Sequence, residues 1–168
     1  QVYFNTSNTI QPVMNRQHFD SLDLKILNTL ATNARKPYLE IAREAGVSGA
    51  AVHQRIQRLI ANGIIAGSQC LIDPEAVGYE TCAYVGLYLR DPSQFDHVVE
   101  ELKRIPEVVE CHYTTGRYDI FIKLFARNND HLLHLLQHEV QALGMARTET
   151  LISFKEVFSR PIPVTNKD

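Results

Sequence analysis

The chain has 168 residues, 45% of them hydrophobic and 21% charged, with a formal net charge of -2 and three cysteines, Cys70, Cys82 and Cys111. That is apolar material for one ordinary core or two small ones, and two small ones is the expectation. No apolar run reaches the roughly 18 residues of a membrane span, the uncharged start lacks the basic opening of a signal peptide, and an odd cysteine count without a CxxC spacing supports neither a disulfide framework nor a zinc site; a cytoplasmic protein is predicted.

Residues 1–17 carry no helical periodicity and read as a tail outside the fold, either disordered or foreign to it. Leu22, Ile26, Leu27 and Leu30 then recur at helical spacing, which predicts a first helix ending near Asn33 and Ala34, because the Lys36-Pro37 step disfavours helix. Leu39, Ile41 and Ala42 are expected to face inward from a second helix, and Val52, Ile56 and Leu59 from a third. Between them lies Ala45-Gly46-Val47-Ser48. Gly46 adopts positive φ without steric penalty and Ser48 caps the next helix, which is the layout of a helix-turn-helix. The domain is expected over residues 18–66.

The inward stripe of the third helix leaves Ser48, Gly49, Ala50, Ala51, His53, Gln54, Gln57 and Arg58 outward, with Arg55 among them. Small and hydrogen-bonding side chains of this kind suit a helix in the major groove. Arg55 has a competing reading as the partner of an acid inside the module, and Arg58 as a solvated charge. Arg35 and Lys36 are placed to meet phosphates, contacts that position a protein without reading sequence. Residues 14–66 hold seven basic side chains (Arg16, Lys25, Arg35, Lys36, Arg43, Arg55, Arg58) against four acids (Asp20, Asp23, Glu40, Glu44), out of totals of 17 and 19. A basic module is thus joined to an acidic one, and double-stranded DNA is the partner expected of the first alone.

Residues 64–72 read as a short extended segment, and Asp73-Pro74 with Gly78 marks a linker over residues 67–80. Beyond it the pattern predicts a strand over 82–89, a helix over 92–105, strands over 108–115 and 120–126, a helix over 130–143 and a strand over 148–158. The fold class is therefore α+β: an N-terminal three-helix winged helix-turn-helix, then a C-terminal ferredoxin-like βαββαβ domain with an antiparallel sheet over residues 81–160, and a tail over 161–168. The strands are apolar on both faces. Ala83, Val85, Leu87 and Leu89 alternate with Tyr84 and Tyr88, and Ile120, Ile122 and Leu124 with Phe121 and Phe125. One face takes the two helices, and the other is expected to pack against a second copy in a homodimer; scattered exposed aromatics are the alternative.

His131, His134 and His138 fall on one arc of a regular helix, with no acid or cysteine convergent on them, and read as a solvated or assembly face; no metal and no cofactor are expected. Cys111 and His112 are neighbours on a strand and point to opposite faces, which argues against a nucleophile and base pair and so against a small enzyme.

Taken together, Leu22-Asp23 with Ile26-Leu27, Asn33-Ala34-Arg35, Ile41-Ala42, Val47-Ser48, Arg55-Ile56, Arg58-Leu59, Gly63-Ile64-Ile65 and Gly116-Arg117-Tyr118-Asp119 resemble the Lrp/AsnC, or feast/famine, transcription regulators over about residues 18–160. The resemblance implies a sequence-specific DNA-binding regulator whose C-terminal domain dimerises, assembles further into tetramers or octamers and senses a small effector, commonly an amino acid. It also implies that the turn of Thr115, Gly116, Arg117, Tyr118 and Asp119 is the effector site, with Asp119 on the ammonium group and Thr148, Thr150 and Ser153 as polar lining. A plain hairpin in which Asp119 caps local backbone N–H groups is the alternative, and with it an architectural DNA-binding protein without effector. Ile60, Gly49-Ala50-Ala51 and Gln69 depart from the usual family pattern, which leaves the target DNA sequence open.

Overall fold

Asp20 opens the first helix of the computed structural model, which describes residues 18–166; the tail expected over residues 1–17 lies outside them. The chain divides into two compact units, one running to Cys70 and resumed at Arg160, the other comprising Leu71–Ser159.

In the first unit, α1 (Ser21–Thr32) begins at a capping box: the Asp23 N–H donates to the Asp20 carboxylate at 2.8 Å, and the Asp20 N–H donates back to Asp23 at 3.4 Å. Helix α2 (Tyr38–Ala45) starts behind Pro37 and ends at Gly46, whose φ of 68° lets the chain reverse at once. Ser48 then caps α3 (Gly49–Ala61), its hydroxyl accepting from the Ala51 N–H at 3.2 Å. Ile26, Leu27, Ile41, Ala42, Val52, Ile56 and Leu59 form the core.

Leu39 departs from the expected inward stripe and is 70% exposed, because it stands about 200° around the helix from Ile41 and cannot share its face. The wing is also absent: residues 64–72 form no strand among the described residues. Instead, the Ile64 and Ile65 N–H groups both donate to the Leu59 carbonyl, at 2.9 and 3.2 Å, and both side chains pack on the core. Those donors finish α3 and are spent before any ladder can form. Residues 161–166, expected to be a tail, pack back on this unit through Val164.

The second unit runs β1 (Thr81–Leu89), α4 (Phe95–Leu102), β2 (Val108–Tyr113), β3 (Ile120–Ala126), α5 (Asn129–His134) and β4 (Met145–Ser153). The sheet order is β2-β3-β1-β4 with every pair antiparallel, the ferredoxin-like βαββαβ arrangement. Ala83, Val85, Leu87, Ile120, Ile122 and Leu124 bury one face together with Val98 and Leu102 of α4 and Leu132 of α5. Three elements differ from expectation. The helix expected over 92–105 is a short 3₁₀ turn (Pro92–Gln94) followed by α4. The one expected over 130–143 continues from α5 into a π-helical run (Leu135–Val140) and a 3₁₀ turn (Gln141–Leu143). The last strand starts earlier, because Gly144 reverses the chain at φ 80°, and stops at Ser153, whose partner Cys82 lies at the beginning of β1.

The left-handed turn between α2 and α3 gives a direct test. Gly46 has open space around its Cα and a positive φ, and Gly67 has the same space without that φ. Gly46→Ala is expected to lower unfolding free energy by about 1 kcal/mol, and Gly67→Ala to change it by less than about 0.5 kcal/mol, as read from urea midpoints.

Candidate nucleic-acid interface and effector turn

On α3, Ala50, His53, Gln54 and Gln57 are exposed in succession, with Ser48 at the cap. The two glutamine amides each carry donors and an acceptor, the set needed for base edges. His53 stands beside Tyr38 of α2, ring centroids 6.2 Å apart. Gly49 and Ala51 are half-buried. Gly49 serves packing rather than the groove: a Cβ there would stand 2.7 Å from Leu39 Cδ2.

The arginines expected in the groove are paired with α1, Arg55 half-buried and Arg58 still exposed beside Gln54. Asp23 is only 2% exposed, and Arg58 Nη2 donates to both of its oxygens at 3.0 and 2.8 Å, while Arg55 Nη1 donates to Oδ1 at 3.0 Å and also to Asp20. Asp23 occupies the apolar stripe of α1, and a carboxylate buried there must be paired. The Asp23 N–H, and after it Arg55, hold the Asp20 carboxyl below the ordinary aspartate range; the same contacts, Asp20 first and then Asp23, raise Arg55. Lys36 is paired with Glu44 at 2.6 Å, and Arg35 is exposed at the corner before α2. The contacts of Arg55 are those of its competing reading, the partner of an acid inside the module, and Arg58, three residues on, shares that acid.

At the turn between β2 and β3, Gly116 has φ 108°, the Thr114 N–H donates to the Asp119 carbonyl at 3.2 Å, and the Thr114 hydroxyl donates to the Tyr118 carbonyl at 2.7 Å. The Asp119 side chain accepts the Leu89 N–H at 2.8 Å, where the β1–β4 register shifts between Tyr88 and Leu89. It caps the donor that the bulge takes out of the ladder, a contact to β1 and not the local backbone cap of a plain hairpin. Thr115, Gly116 and Arg117 are exposed. Thr148 and Thr150 pair with Leu87 and Val85 and so belong to the helix-covered side, whereas Ser153 pairs with Cys82 at the far end of β4. The three are not brought together.

What the turn does reach is Glu149, on the open face opposite Gly86. Its carboxylate accepts the Tyr118 hydroxyl at 2.9 Å, the Tyr88 hydroxyl at 3.3 Å and Arg117 Nη2 at 2.8 Å, and it is paired with Arg147. Burial pushes the Glu149 carboxyl up, but the Tyr118 hydrogen bond and the two guanidinium charges outweigh it, leaving the carboxyl below the ordinary range. Sequence reading missed this residue, an acid in the middle of a strand. From the cluster, aromatic rings continue across the open face: Tyr88 on Tyr118, Tyr118 on Phe121 and Phe121 on Tyr84, with centroids 5.4, 5.7 and 5.9 Å apart. The aromatics expected to be bare thus half-cover one another.

Of the histidines, His134 and His138 are adjacent, centroids 4.8 Å apart, whereas His131 Nδ1 accepts the Arg127 N–H at 3.1 Å and its Nε2 lies 3.8 Å from Glu107. His131 is thus held toward Arg127 and Glu107 and leaves the arc on which the three were expected to align, while His134 and His138 stay together. Cys111 pairs with Ile122 and His112 with Phe121, so their side chains lie on opposite faces.

The Tyr118 ring rests directly on Gly86, where a Cβ would stand 2.4 Å from it. Gly86→Ala must therefore displace the ring and its bond to Glu149. The expected outcome in thermal or urea unfolding is a loss of about 1–3 kcal/mol, the range for overpacking, while Gly116→Ala, in open space, should cost only its backbone strain.

Two family profiles match the chain: the AsnC-type helix-turn-helix domain over residues 19–60 and the Lrp/AsnC ligand binding domain over residues 82–163. The regulatory protein AsnC of Haemophilus influenzae is 38% identical over 146 residues, 86% of this chain and 97% of that protein. The structure of Escherichia coli AsnC superposes with a TM-score of 0.83 at 35% identity, over 88% of this chain and all of that one. A feast or famine regulatory protein from M. tuberculosis, solved in complex with L-methionine, superposes with a TM-score of 0.79 at 31% identity, over 84% and 96% of the two chains. With a capped three-helix unit and a βαββαβ unit in the same order as in these relatives, the chain belongs to the Lrp/AsnC family of transcriptional regulators.

Proposed function

We propose that the chain is a sequence-specific DNA-binding transcriptional regulator acting in the cytoplasm. In this reading α3 enters the major groove through Ala50, His53, Gln54 and Gln57, and Arg35 and Lys36 meet phosphates on either side. The observation that carries it is the Ser48-capped helix whose exposed face is small or amide-bearing, with Arg55 and Arg58 along its edge paired to Asp23 of α1. Two copies pair through the C-terminal units, where Val109, Tyr113, Leu151, Ile152 and Phe154 are exposed at the sheet edges and just beyond β4. The pair brings two recognition helices to one duplex and assembles further to tetramers or octamers. The role is regulatory rather than enzymatic, which the opposed directions of Cys111 and His112 support.

The effector of this reading is an amino acid bound beside the turn of residues 115–119. A carboxylate flanked by two guanidinium groups complements both ends of a zwitterion. Asp119 is held by the Leu89 N–H and Glu149 by Arg117 and Arg147; in this reading the ammonium group takes Glu149 by displacing a guanidinium, which turns to the effector carboxylate. The co-structure of a 31% identical relative with L-methionine supports the ligand class. A second reading, an architectural DNA-binding protein without effector, is favoured by that same occupation of Asp119.

One set of titrations separates these readings: intact protein against duplexes selected from a random pool, at low salt, with and without L-methionine and the other common amino acids. Selective binding is expected, with Gln54→Ala relaxing preference at one position by about 1–3 kcal/mol and Arg35→Ala weakening all duplexes alike. An effector that shifts the affinity, and does so less with Glu149→Gln, supports the sensing reading; an unchanged affinity with every amino acid supports the architectural one. Binding without any sequence preference would overturn the regulator reading.

A further inference from the structure

Leu39 is a large apolar side chain left 70% exposed on α2, although Ile41 and Ala42 beside it are buried. It lies against the start of α3: Gly49, the first residue of that helix, leaves the space that Leu39 Cδ2 occupies, since a Cβ at position 49 would stand 2.7 Å from it. Ala50 and Ala51 follow, so beyond the Ser48 cap the first turn of α3 carries no side chain longer than a methyl group. Arg43 comes four residues after Leu39 and shares its face of α2, while Ile41 and Ala42 hold the other side in the core. Arg43 is exposed, and among the described residues its guanidinium has neither an ion pair nor a hydrogen bond. Most other basic side chains of the unit are spent internally. Lys25 donates to the Glu44 carbonyl, Lys36 is paired with the Glu44 carboxylate at 2.6 Å, and Arg55 and Arg58 are paired with Asp23.

We propose that the recognition surface spans both helices of the motif, with Leu39 as a specificity-determining residue and Arg43 as a phosphate contact. This surface rests on the reading of α3 as the groove-entering helix and adds two residues of α2 to it. Leu39 overlies the part of α3 that has no long side chain of its own. An apolar group presented there recognises the C5-methyl of thymine, the apolar mark on the major-groove edge of a base pair. A long helical side chain leans toward the N-terminus of its helix, so Arg43 extends back toward Leu39 and the rim of the groove that Leu39 faces. An unpaired guanidinium gives up no internal partner on meeting a phosphate, whereas Lys36 must leave Glu44 to do so.

The test uses the full chain and a duplex that it selects from a random pool, in which each thymine is replaced in turn by uracil, a base that lacks only the C5-methyl group. At one position the parent is expected to lose affinity by about fourfold, the worth of one methyl group taken from water. Leu39→Gln keeps the helix propensity and removes the apolar end; it should abolish that loss and leave the preferences at other positions unchanged. Arg43→Ala should weaken all duplexes alike and lower the slope of log K against log salt by about 0.9 for each copy bound. Both positions are exposed, so circular dichroism is expected to stay that of the parent. A uracil penalty that no thymine shows, or that Leu39→Gln leaves intact, overturns the two-helix surface, as does an unchanged salt slope in Arg43→Ala; selective binding by the parent would then still uphold α3 as the reading helix. A parent without any sequence preference overturns that reading and the two-helix surface with it.

Discussion

The first unit is organised around a carboxylate that should not be where it is. Asp23 lies at 2% exposure on the apolar stripe of α1, a position that is tenable only because Arg55 and Arg58 reach it from α3. That pairing helps fix the rotation of α3 about its axis, since both arginines must reach α1, and the adjoining strip of Ala50, His53, Gln54 and Gln57 is thereby presented outward. Removing one partner of such a pair typically costs about 3–5 kcal/mol, most of it from leaving the other charge buried and unpaired. Asp20 adds a second acceptor and the helix cap at the same point, so capping, helix packing and orientation of the recognition surface depend on one cluster.

Acid should loosen this cluster in a definite direction. The Asp20 carboxyl is held below its ordinary range in the folded chain; its stabilising contribution is complete above the unfolded pKa and disappears as pH falls through the folded one. The second unit has a comparable centre in Glu149, likewise lowered, where two tyrosine hydroxyls and two guanidinium groups converge across strands that the Gly86 and Tyr118 contact brings close. In both units, opposed charges on neighbouring elements are drawn together at one point.

Much of the fold was legible in the sequence because periodicity and turn chemistry carry it. Val52, Ile56 and Leu59 are buried as their spacing predicts, Gly46 and Ser48 form the turn and cap, and the strand alternation is the observed one. What failed depends on contacts distant in sequence or on local hydrogen-bond competition. The wing was lost to Ile64 and Ile65 capping α3, and the histidine arc to the contacts of His131 with Arg127 and Glu107. Arg55 and Arg58 have the composition of groove-reading residues, and their pairing with a buried partner 32 and 35 residues earlier is a contact that spacing along α3 does not show. The same holds for Asp119, whose role follows from a register shift in β1 and β4.

A double-mutant cycle on Asp23 and Arg58 tests most directly whether the arginines of α3 are committed to the fold. Unfolding free energies of the parent, Asp23→Ala, Arg58→Ala and the double variant are measured in urea without DNA. The account predicts single losses that overlap strongly, with a coupling energy of about 1–3 kcal/mol between the two sites. Losses that add to within about 0.5 kcal/mol would mean that the pair is not coupled and that Arg58 is available to the groove after all.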